Sequence, residues 1–263
     1  MKKVWTESTR VKGYETDFQG NWKPASFFRA MQGAAGYHAE HLGFGYHSLL
    51  EKDMAWILSR VKIRFHQFPT FDKQVTLHTW PKGVQQKILF IRDFNILDSD
   101  GACMAAASTA WLLVDIQSMR FLTSEKLPSS MPDNQGLFAL DEKLEKISIP
   151  KDLPEIFVAR ARYSDIDLMG HVNNTRYIDW VCDCFESEAY RTRKLSWLQI
   201  NYTHEVKPGE RVSIGMGENI SDTSVSLVQG RNLDSGNQAF EAALGWCAWE
   251  KPSGYQADRG KTR

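Results

Sequence analysis

The alternation of hydrophobic and polar positions divides the first half of the chain into one long helix followed by four strands. Pro24 suits the first turn of a helix, and apolar residues then recur at helical spacing as far as residue 42 (Phe27, Phe28, Met31, Ala35 and Leu42). Gly33 and Gly36 weaken this helix, which predicts that it closely approaches a sheet there. Strand-like runs follow over residues 55–65, 74–81, 87–97 and 103–115, and residues 98–101 (DSDG) are typical of a hairpin turn.

The character of the chain changes between about residues 123 and 155, where Pro, Ser and charged residues dominate. We interpret residues 125–154 as a linker with one short helix around residues 139–147, lying between domains of residues 1–124 and 155–263. After the linker the same order of elements recurs. A helix in which Tyr177, Val181 and Phe185 repeat every four residues precedes strand-like runs over residues 196–206, 211–219, 224–233 and 238–250.

The two halves also share individual residues. DFQGNWKPASFF, which begins at Asp17, aligns without a gap to DLMGHVNNTRYI, which begins at Asp167, so the offset is 150 residues (167 − 17). Gly20 matches Gly170, whereas an asparagine stands in the first copy where the second has His171. The shared order indicates an internal duplication. We therefore predict an α+β fold of two units, each a long helix wrapped by an antiparallel sheet, paired as a pseudo-dimer within one chain.

Composition and charge weigh against several classes of function. The 263 residues contain 32 Lys and Arg against 32 Asp and Glu, so we expect no general attraction to nucleic acid or to anionic membranes. No apolar run approaches the roughly 20 residues of a membrane span, and no secretory signal is apparent. Four scattered cysteines favour a reduced, cytoplasmic setting. No nucleotide loop, flavin signature or metal cluster appears, so we expect no cofactor and no metal.

The segment SDIDLMGHVNNTRYIDW, residues 164–180, carries the most specific pattern in the chain. A helix wrapped by a sheet and preceded by D-x-D-x-x-G-H-V-N-N resembles the hotdog fold of thioesterases. Two copies, with the pattern complete only in the second, resemble the acyl-acyl carrier protein thioesterases of bacteria and plants. AWILSRVKIRF, TLHTWP and INYTHEVKPGERV support the resemblance, which covers residues 5–249. It implies two tandem hotdog domains that hydrolyse the thioester between a fatty acyl group and acyl carrier protein, releasing free fatty acid.

The resemblance places the family's catalytic aspartate and histidine at Asp167 and His171. Where the family usually has an asparagine between them, this chain has Met169, and Asn173 is the nearest side chain that could supply the missing amide. Where the plant enzymes have a Glu-Cys pair on a later strand, this chain has Glu205 followed by a valine. We therefore expect no cysteine nucleophile, and Glu205 is a second candidate for the general base.

Thioester hydrolysis requires an activated water, a stabilised oxyanion and a route for the leaving thiol. Gly170 permits a tight turn that lets a substrate carbonyl approach the N-terminus of the second helix. Backbone N–H groups there, around Asn174 and Thr175, can stabilise negative charge. The helix dipole favours an ionised Asp167, fit to orient or deprotonate water. His171 can take part in proton transfer near neutral pH.

Other interpretations of the same residues stay open at this point. Asp17 is explained by the turn alone, and Asp167 and Asn173 could likewise be only turn and helix-capping residues. Three functions compete with an acyl carrier protein thioesterase. These are a thioesterase for coenzyme A esters, a dehydratase that uses His171 and Glu205 as an acid/base pair, and a non-catalytic acyl-binding protein.

The first half is expected to bind the acyl chain. The predicted tunnel is lined by one face of the first helix and by Trp56 on the next strand, the helix residues being Phe27, Phe28, Met31 and Ala35. An aromatic stripe at helical spacing is also typical of an ordinary core. Acyl carrier protein is acidic, so a basic docking patch is expected. The clearest candidates follow the second helix: Arg191, Arg193 and Lys194. We expect no nucleic-acid partner and no membrane span, and a homodimer is possible.

Overall fold

The computed structural model describes residues 3–134, 136–219 and 221–248. These residues form two halves with the same order of long helix and strands. The predicted end of the last strand and the C-terminal tail, residues 249–263, lie outside the described residues. The first half contains β1 (Trp5–Arg10), α1 (Pro24–His41), α2 (Tyr46–Leu50), β2 (Met54–Phe65), β3 (Gln74–Gln85), β4 (Leu89–Leu97), β5 (Cys103–Asp115) and β6 (Phe121–Leu122). The second contains β7 (Glu155–Arg160), α3 (Asn174–Asp183), α4 (Ser187–Thr192), β8 (Arg193–Tyr202), β9 (Arg211–Asn219), β10 (Asp222–Asn232) and β11 (Gln238–Ala248).

The described strands form one antiparallel sheet of 11 strands that continues through both halves. Its order is β1-β3-β4-β5-β2-β8-β11-β10-β9-β7, with β6 paired to β5 outside this path. The order on one side of the β2–β8 junction repeats in reverse on the other side. The duplication seen in the sequence is therefore a two-fold pseudo-symmetry of the sheet, and β2 and β8 join the halves through backbone hydrogen bonds.

The two long helices pack on one face of this sheet. Pro24 occupies the first turn of α1, where its missing N–H has no intrahelical partner to lose. Both helices bury their apolar faces in a single core cluster that also includes residues of β2 and β8 (Phe27, Met31, Tyr177, Val181, Ile63 and Leu198). Across the helix pair, Arg29 donates to Asp179 at 2.5 Å. These two residues are related by the 150-residue offset, so the ion pair lies close to the pseudo-two-fold axis.

The segment between the halves has a structural role that its composition did not reveal. The helix predicted around residues 139–147 is wrong, because the backbone there is neither helix nor strand. The segment instead lies against the sheet, with Leu140 and Leu144 buried. Glu142 bridges Lys62 and Arg64 of β2, and the side chain of Gln199 on β8 donates to the carbonyl of residue 145 at 2.6 Å. Side-chain contacts therefore bind this segment to both β2 and β8.

Short elements were also absent from the sequence prediction. The strands β1, β6 and β7 and the helices α2 and α4 each span six residues or fewer, too few for a periodic pattern to emerge. The four strands predicted in each half are confirmed, with ends shifted by a few residues. Within the described ranges, no helix is both long enough and apolar enough to cross a membrane.

Candidate active site

Asp17 and Asp167 sit in two turns with the same backbone geometry. In each turn the aspartate N–H donates to the carbonyl four residues on, and the N–H of the glycine three residues on returns to the aspartate carbonyl at 3.0 Å. Gly20 and Gly170 both have φ of +79°, a conformation that favours glycine. Each aspartate also accepts the N–H two residues on through its side chain, at 2.8 and 2.9 Å. Both carboxylates therefore hold the turn, which confirms the structural part of the interpretation.

The two turns differ in the side-chain amide that contacts the carboxylate, because Asn21 reaches Asp17 Oδ2 only at 3.5 Å, whereas the second turn uses a helix-capping residue. Asn173, the N-cap of α3, donates its amide N–H to Asp167 Oδ2 at 3.1 Å. Its Oδ1 accepts from the N–H and the hydroxyl of Thr175, at 2.9 and 2.8 Å. One amide therefore caps the helix and orients Asp167. In the first half, the residue at the same offset from Asn173 is Lys23, which makes no side-chain cap hydrogen bond.

The hydrogen bonds of this turn reduce the number of backbone N–H groups that are available to stabilise an oxyanion. The Thr175 N–H is occupied by the Asn173 side chain, and the Gly170 N–H is occupied by the carbonyl of Asp167. The Thr175 N–H is therefore not free to meet an oxyanion, whereas the Gly170 N–H takes part in the tight turn that was expected of this glycine. Asn174, the first residue of α3, retains an N–H for which the described residues supply no acceptor.

His171 and Glu205 form a pair beside the turn. His171 Nε2 lies 3.3 Å from Glu205 Oε2, and their side chains are 33% and 51% exposed. Nearby, burial raises the pKa of Tyr177, and the negative charges of Glu205 and Asp167 act in the same direction. The Tyr177 phenol therefore stays protonated and is no candidate for a base.

A cavity of about 860 Å³ extends from the second turn into the first half. Asp167, Met169 and Asn173 line one end of it, whereas His171 and Glu205 do not belong to its lining. The other end is apolar and lies between α1, α2 and the sheet (Ala35, Ala39, Phe44, Leu49, Trp56 and Phe90). The Asp167 carboxylate and the Asn173 amide therefore line a space whose far end is fit for a hydrocarbon chain.

The pseudo-symmetry explains why this cavity lies in the first half. At the 150-residue offset, Phe185 stands where α1 has Ala35. Phe185 and Tyr190 pack edge-on against Trp246, with ring centroids 5.0 and 5.4 Å apart. The longer α1 presents Ala35 to the cavity in the first half, whereas in the second half α3 ends at Asp183 and the aromatic residues that follow it pack on Trp246.

The match to known protein families agrees with this arrangement. The acyl-ACP thioesterase N-terminal domain matches residues 2–125, and the acyl-ACP thioesterase C-terminal domain matches residues 151–248. The chain belongs to the acyl-ACP thioesterase family. Both the family and the fold predicted from the sequence, two tandem hotdog domains, are thereby confirmed.

Plant members of the acyl-ACP thioesterase family are similar over much of the chain. The chain is 23% identical to oleoyl-acyl carrier protein thioesterase of Coriandrum sativum over 98% of its length and 76% of that protein. It is 26% identical to palmitoyl-acyl carrier protein thioesterase of Cuphea hookeriana over 77% of its length. The matched region spans about half of the Cuphea proteins, 52% in this case.

Solved structures of the family have the same fold. The 12:0-ACP thioesterase from Umbellularia californica superposes with a TM-score of 0.81 at 19% identity, covering 95% of this chain and 99% of that one. The acyl-ACP thioesterase from Bacteroides thetaiotaomicron superposes with a TM-score of 0.79 at 24% identity, covering 93% and 98%.

The residues predicted for the acyl tunnel are only partly on the cavity. Trp56 lines it, with its indole N–H donating to the carbonyl of Phe44 at 2.9 Å. Phe27 is fully buried between Trp22 and aromatic residues of the core, and Met31 borders a separate space of about 20 Å³. Phe27 and Met31 are core residues, because their side of α1 faces the sheet rather than the cavity.

Gly33 and Gly36 were expected to allow close approach to the sheet, and this expectation is wrong. Both are exposed and line the cavity, and a Cβ at either position would meet no atom within 4 Å. Ala35, which belongs to the predicted tunnel face, does line the cavity, whereas sequence reasoning missed Ala39 and Arg92. Ala35 corresponds to Phe185 at the 150-residue offset, so this difference in size between the copies was readable from the sequence, whereas Ala39 corresponds to Ala189 and gave no such signal.

Two of the predicted docking residues lie beside the first turn. The Arg191 guanidinium lies 4.5 Å from the ring centroid of Phe18, and that of Arg193 lies 4.8 Å from the ring of Trp246. Lys194 is half-buried, and burial lowers the pKa of its ammonium, with Asp17 acting in the opposite direction. Arg191 and Lys194 therefore lie beside the turn of the first half rather than the turn that carries Asp167, whereas Arg193 lies on Trp246 of β11.

Proposed function

We propose that this protein hydrolyses fatty acyl thioesters of acyl carrier protein and releases free fatty acid. Membership in the acyl-ACP thioesterase family assigns the class of reaction, thioester hydrolysis. The observation that carries the proposal for this chain is the position of Asp167. Its carboxylate, oriented by the amide of Asn173, lines the end of a cavity whose other end is apolar.

In the proposed reaction, Asp167 orients a water molecule and accepts its proton as the water oxygen bonds to the thioester carbon. The Asn174 N–H and the positive end of the α3 dipole stabilise the resulting oxyanion. The carbon–sulfur bond then breaks, and the thiolate leaves with a proton. We assign the donation of that proton to His171, which Glu205 holds at 3.3 Å. Because Glu205 is followed by a valine, no thiol nucleophile is involved at this position.

The proposal assigns the acyl chain to the apolar part of the cavity, between α1 and the sheet of the first half. The reacting groups and the acyl site then come from different halves of one chain. A second copy of the protein is therefore not needed to complete the site. A reduced compartment such as the cytoplasm is part of the proposal, supported by four cysteines that are all free thiols.

Acyl carrier protein is the proposed carrier of the acyl group. The support is that relatives across the plant members carry acyl carrier protein thioesterase in their names. Docking at Arg191, Arg193 and Lys194 stays a prediction, and the place of Arg191 and Lys194 beside the first turn suggests a footprint that reaches across both halves. Coenzyme A thioesters of the same acyl groups are the alternative substrate.

The test is thiol release by the purified protein from acyl carrier protein and coenzyme A thioesters of equal chain length. Asp167→Asn removes the base and keeps the shape of the turn, so the rate with the preferred donor should fall by about 10²–10⁴-fold. Asp17→Asn is the matched control, because Asp17 holds the equivalent turn without facing the cavity. It should change the rate by less than about twofold, within the range expected of a site remote from the chemistry.

Two results would overturn the proposal. If both aspartate variants lost activity to the same extent, Asp167 would be only a turn residue. If the unaltered protein released no thiol from any donor, an acyl-binding role without catalysis would be the better interpretation. A higher kcat/KM with coenzyme A esters than with carrier-linked esters would keep the chemistry and replace the partner.

A further inference from the structure

Arg92 is a buried cation in the wall of the acyl cavity. It lies in β4 between Phe90 and Phe94, which are both buried, and it is 7% exposed. It lines the same cavity as Trp56, Ala35 and Ala39. A plain hydrocarbon chain has no group that a guanidinium could bind, so the presence of Arg92 in this wall calls for a different explanation.

The side chain of Arg92 is held in place from one side. A single guanidinium nitrogen, Nη1, contacts His38 Nδ1 at 3.0 Å and Thr79 Oγ1 at 3.2 Å. The His38 ring in turn stacks on Trp5, with centroids 5.9 Å apart. Guanidinium has five N–H donors, and its other nitrogens donate to no acceptor in the described ranges. Arg92 is thus fixed while part of its donor capacity is unused.

Among the residues that the structure describes, no carboxylate forms an ion pair with Arg92. Burial alone lowers the pKa of Arg92 to about 10, so the side chain is still protonated at neutral pH. A buried charge without a partner is costly in free energy, which makes it a strong site for a ligand oxygen that approaches through the cavity.

The pseudo-symmetry shows that the fold itself does not require this arginine. Lys62 pairs with Gln199 at the β2–β8 junction. When the strand pairings are followed outward from these two residues, Arg92 and Ser226 occupy equivalent positions in β4 and β10. The half without the large cavity therefore has a small neutral residue in place of the cation.

We propose that Arg92 is a specificity-determining residue that binds an oxygen on the acyl chain, so that the preferred substrates carry a hydroxyl or keto group along the chain. This inference rests on the proposed function for the identity of the ligand. The remaining guanidinium N–H groups donate to the oxygen on the acyl chain, while His38 and Thr79 hold the guanidinium group in position. An unsubstituted chain of the same length leaves these donors without an acceptor.

The experiment compares carrier-linked acyl chains of one length, either saturated or with a single hydroxyl moved one carbon at a time. At the hydroxyl position that reaches Arg92, kcat/KM should exceed that of the saturated chain by about 10- to 100-fold, which corresponds to one hydrogen bond to a charged group. Arg92→Met keeps the length of the side chain and removes the charge. It should abolish this preference, so that the hydroxylated and saturated chains are hydrolysed with similar kcat/KM.

Ser226→Ala is the matched control, and it should leave the preference unchanged. An equal loss for saturated and hydroxylated chains in Arg92→Met would mean that Arg92 acts only by tying β4 to α1, and would overturn the inference. If Arg92→Met does not fold, Arg92→Lys keeps the positive charge but lacks the planar guanidinium group and its several N–H donors. That variant should reduce the hydroxyl preference, and an unchanged preference would count against the inference.

Binding to the unaltered protein provides a readout that does not depend on catalysis. Calorimetric titration with free hydroxylated and saturated fatty acids of equal length should show tighter binding of the hydroxylated acid at one position. Equal affinity at every position would overturn the inference even if the protein proves to be a thioesterase. Selective binding without thioester hydrolysis would instead leave the inference standing and refute the proposed function.

Discussion

Ala35→Phe tests whether the acyl chain occupies the cavity of the first half. Ala35 is buried in α1 and lines the cavity together with Trp111. In the second half, Phe185 corresponds to Ala35 at the 150-residue offset, just beyond the end of α3, and its ring packs edge-on against Trp246 at 5.0 Å. The strand pairings make Trp111 the counterpart of Trp246. The variant should therefore reproduce in the first half the packing that already closes the second.

The expected effect follows from the size of the added ring. Phenylalanine adds six ring carbons, which displace about five methylene groups of a long acyl chain. At about 0.8 kcal/mol for each buried methylene, the longest chains lose roughly 4 kcal/mol of binding, close to a thousandfold in kcat/KM. Chains too short to reach Ala35 keep their rate. The preferred chain length should therefore become shorter by about five carbons.

The assay is kcat/KM across a series of saturated acyl carrier protein thioesters, with the fold checked by circular dichroism. Overpacking should change the free energy of unfolding by about 1–3 kcal/mol. Phe185→Ala is the control, since it opens the equivalent region of the second half. It should destabilise the protein by about 3–5 kcal/mol and leave the chain-length profile unchanged. A folded Ala35→Phe protein with an unaltered profile would refute the location of the acyl chain.

Two further predictions concern the turn and the connecting segment. Met169→Asn should raise kcat by up to about tenfold, because it places a second amide beside Asp167. Since position 169 is exposed, the free energy of unfolding should change by less than about 0.5 kcal/mol. Steady-state kinetics measures the first effect and urea unfolding the second. Glu142→Gln should lower the free energy of unfolding at pH 7 by about 1 kcal/mol through weakened contacts with Arg64 and Lys62. The hydrogen bond from Arg64, and then the contacts with Lys62, lower the pKa of Glu142 in the folded protein. The stability that Glu142 contributes is therefore present at neutral pH and is lost as the pH falls through the pKa of the folded state. Urea unfolding curves of the two proteins should therefore converge below about pH 4, and a constant difference at all pH values would contradict this origin.

The repeat and the periodicity were readable from the sequence because they are local. Apolar residues three and four apart on α1 and alternating residues on the strands report burial directly. The paired turns at Asp17 and Asp167 could also be predicted, since a glycine three residues after each aspartate supports the same local hydrogen bonds. Comparison of the two halves also distinguished His171, which has an asparagine as its counterpart, from the residues that both turns require.

The location of the cavity could not be read from the sequence. Phe27 and Met31 share the helical spacing of a tunnel face, yet they pack into the core. The cavity instead follows the side of α1 that carries Gly33 and Gly36. Which face of a helix meets a void depends on how α1 packs against α3 and the sheet, and that packing joins residues far apart in the chain. The same is true of Arg92, whose spacing in β4 is that of any inward-facing residue.

The sequence by itself determined the two hotdog units, their order of elements and the turn that carries Asp167, because each depends on neighbours along the chain. The tertiary structure decided which groups meet. It brings the carboxylate of Asp167 to a cavity made largely by the other half, leaves His171 and Glu205 beside the turn, and sets a buried Arg92 in the wall. These arrangements arise from the pairing of two unequal copies, because α1 is long and presents a small residue to the cavity, whereas α3 is short and aromatic residues pack beyond its end.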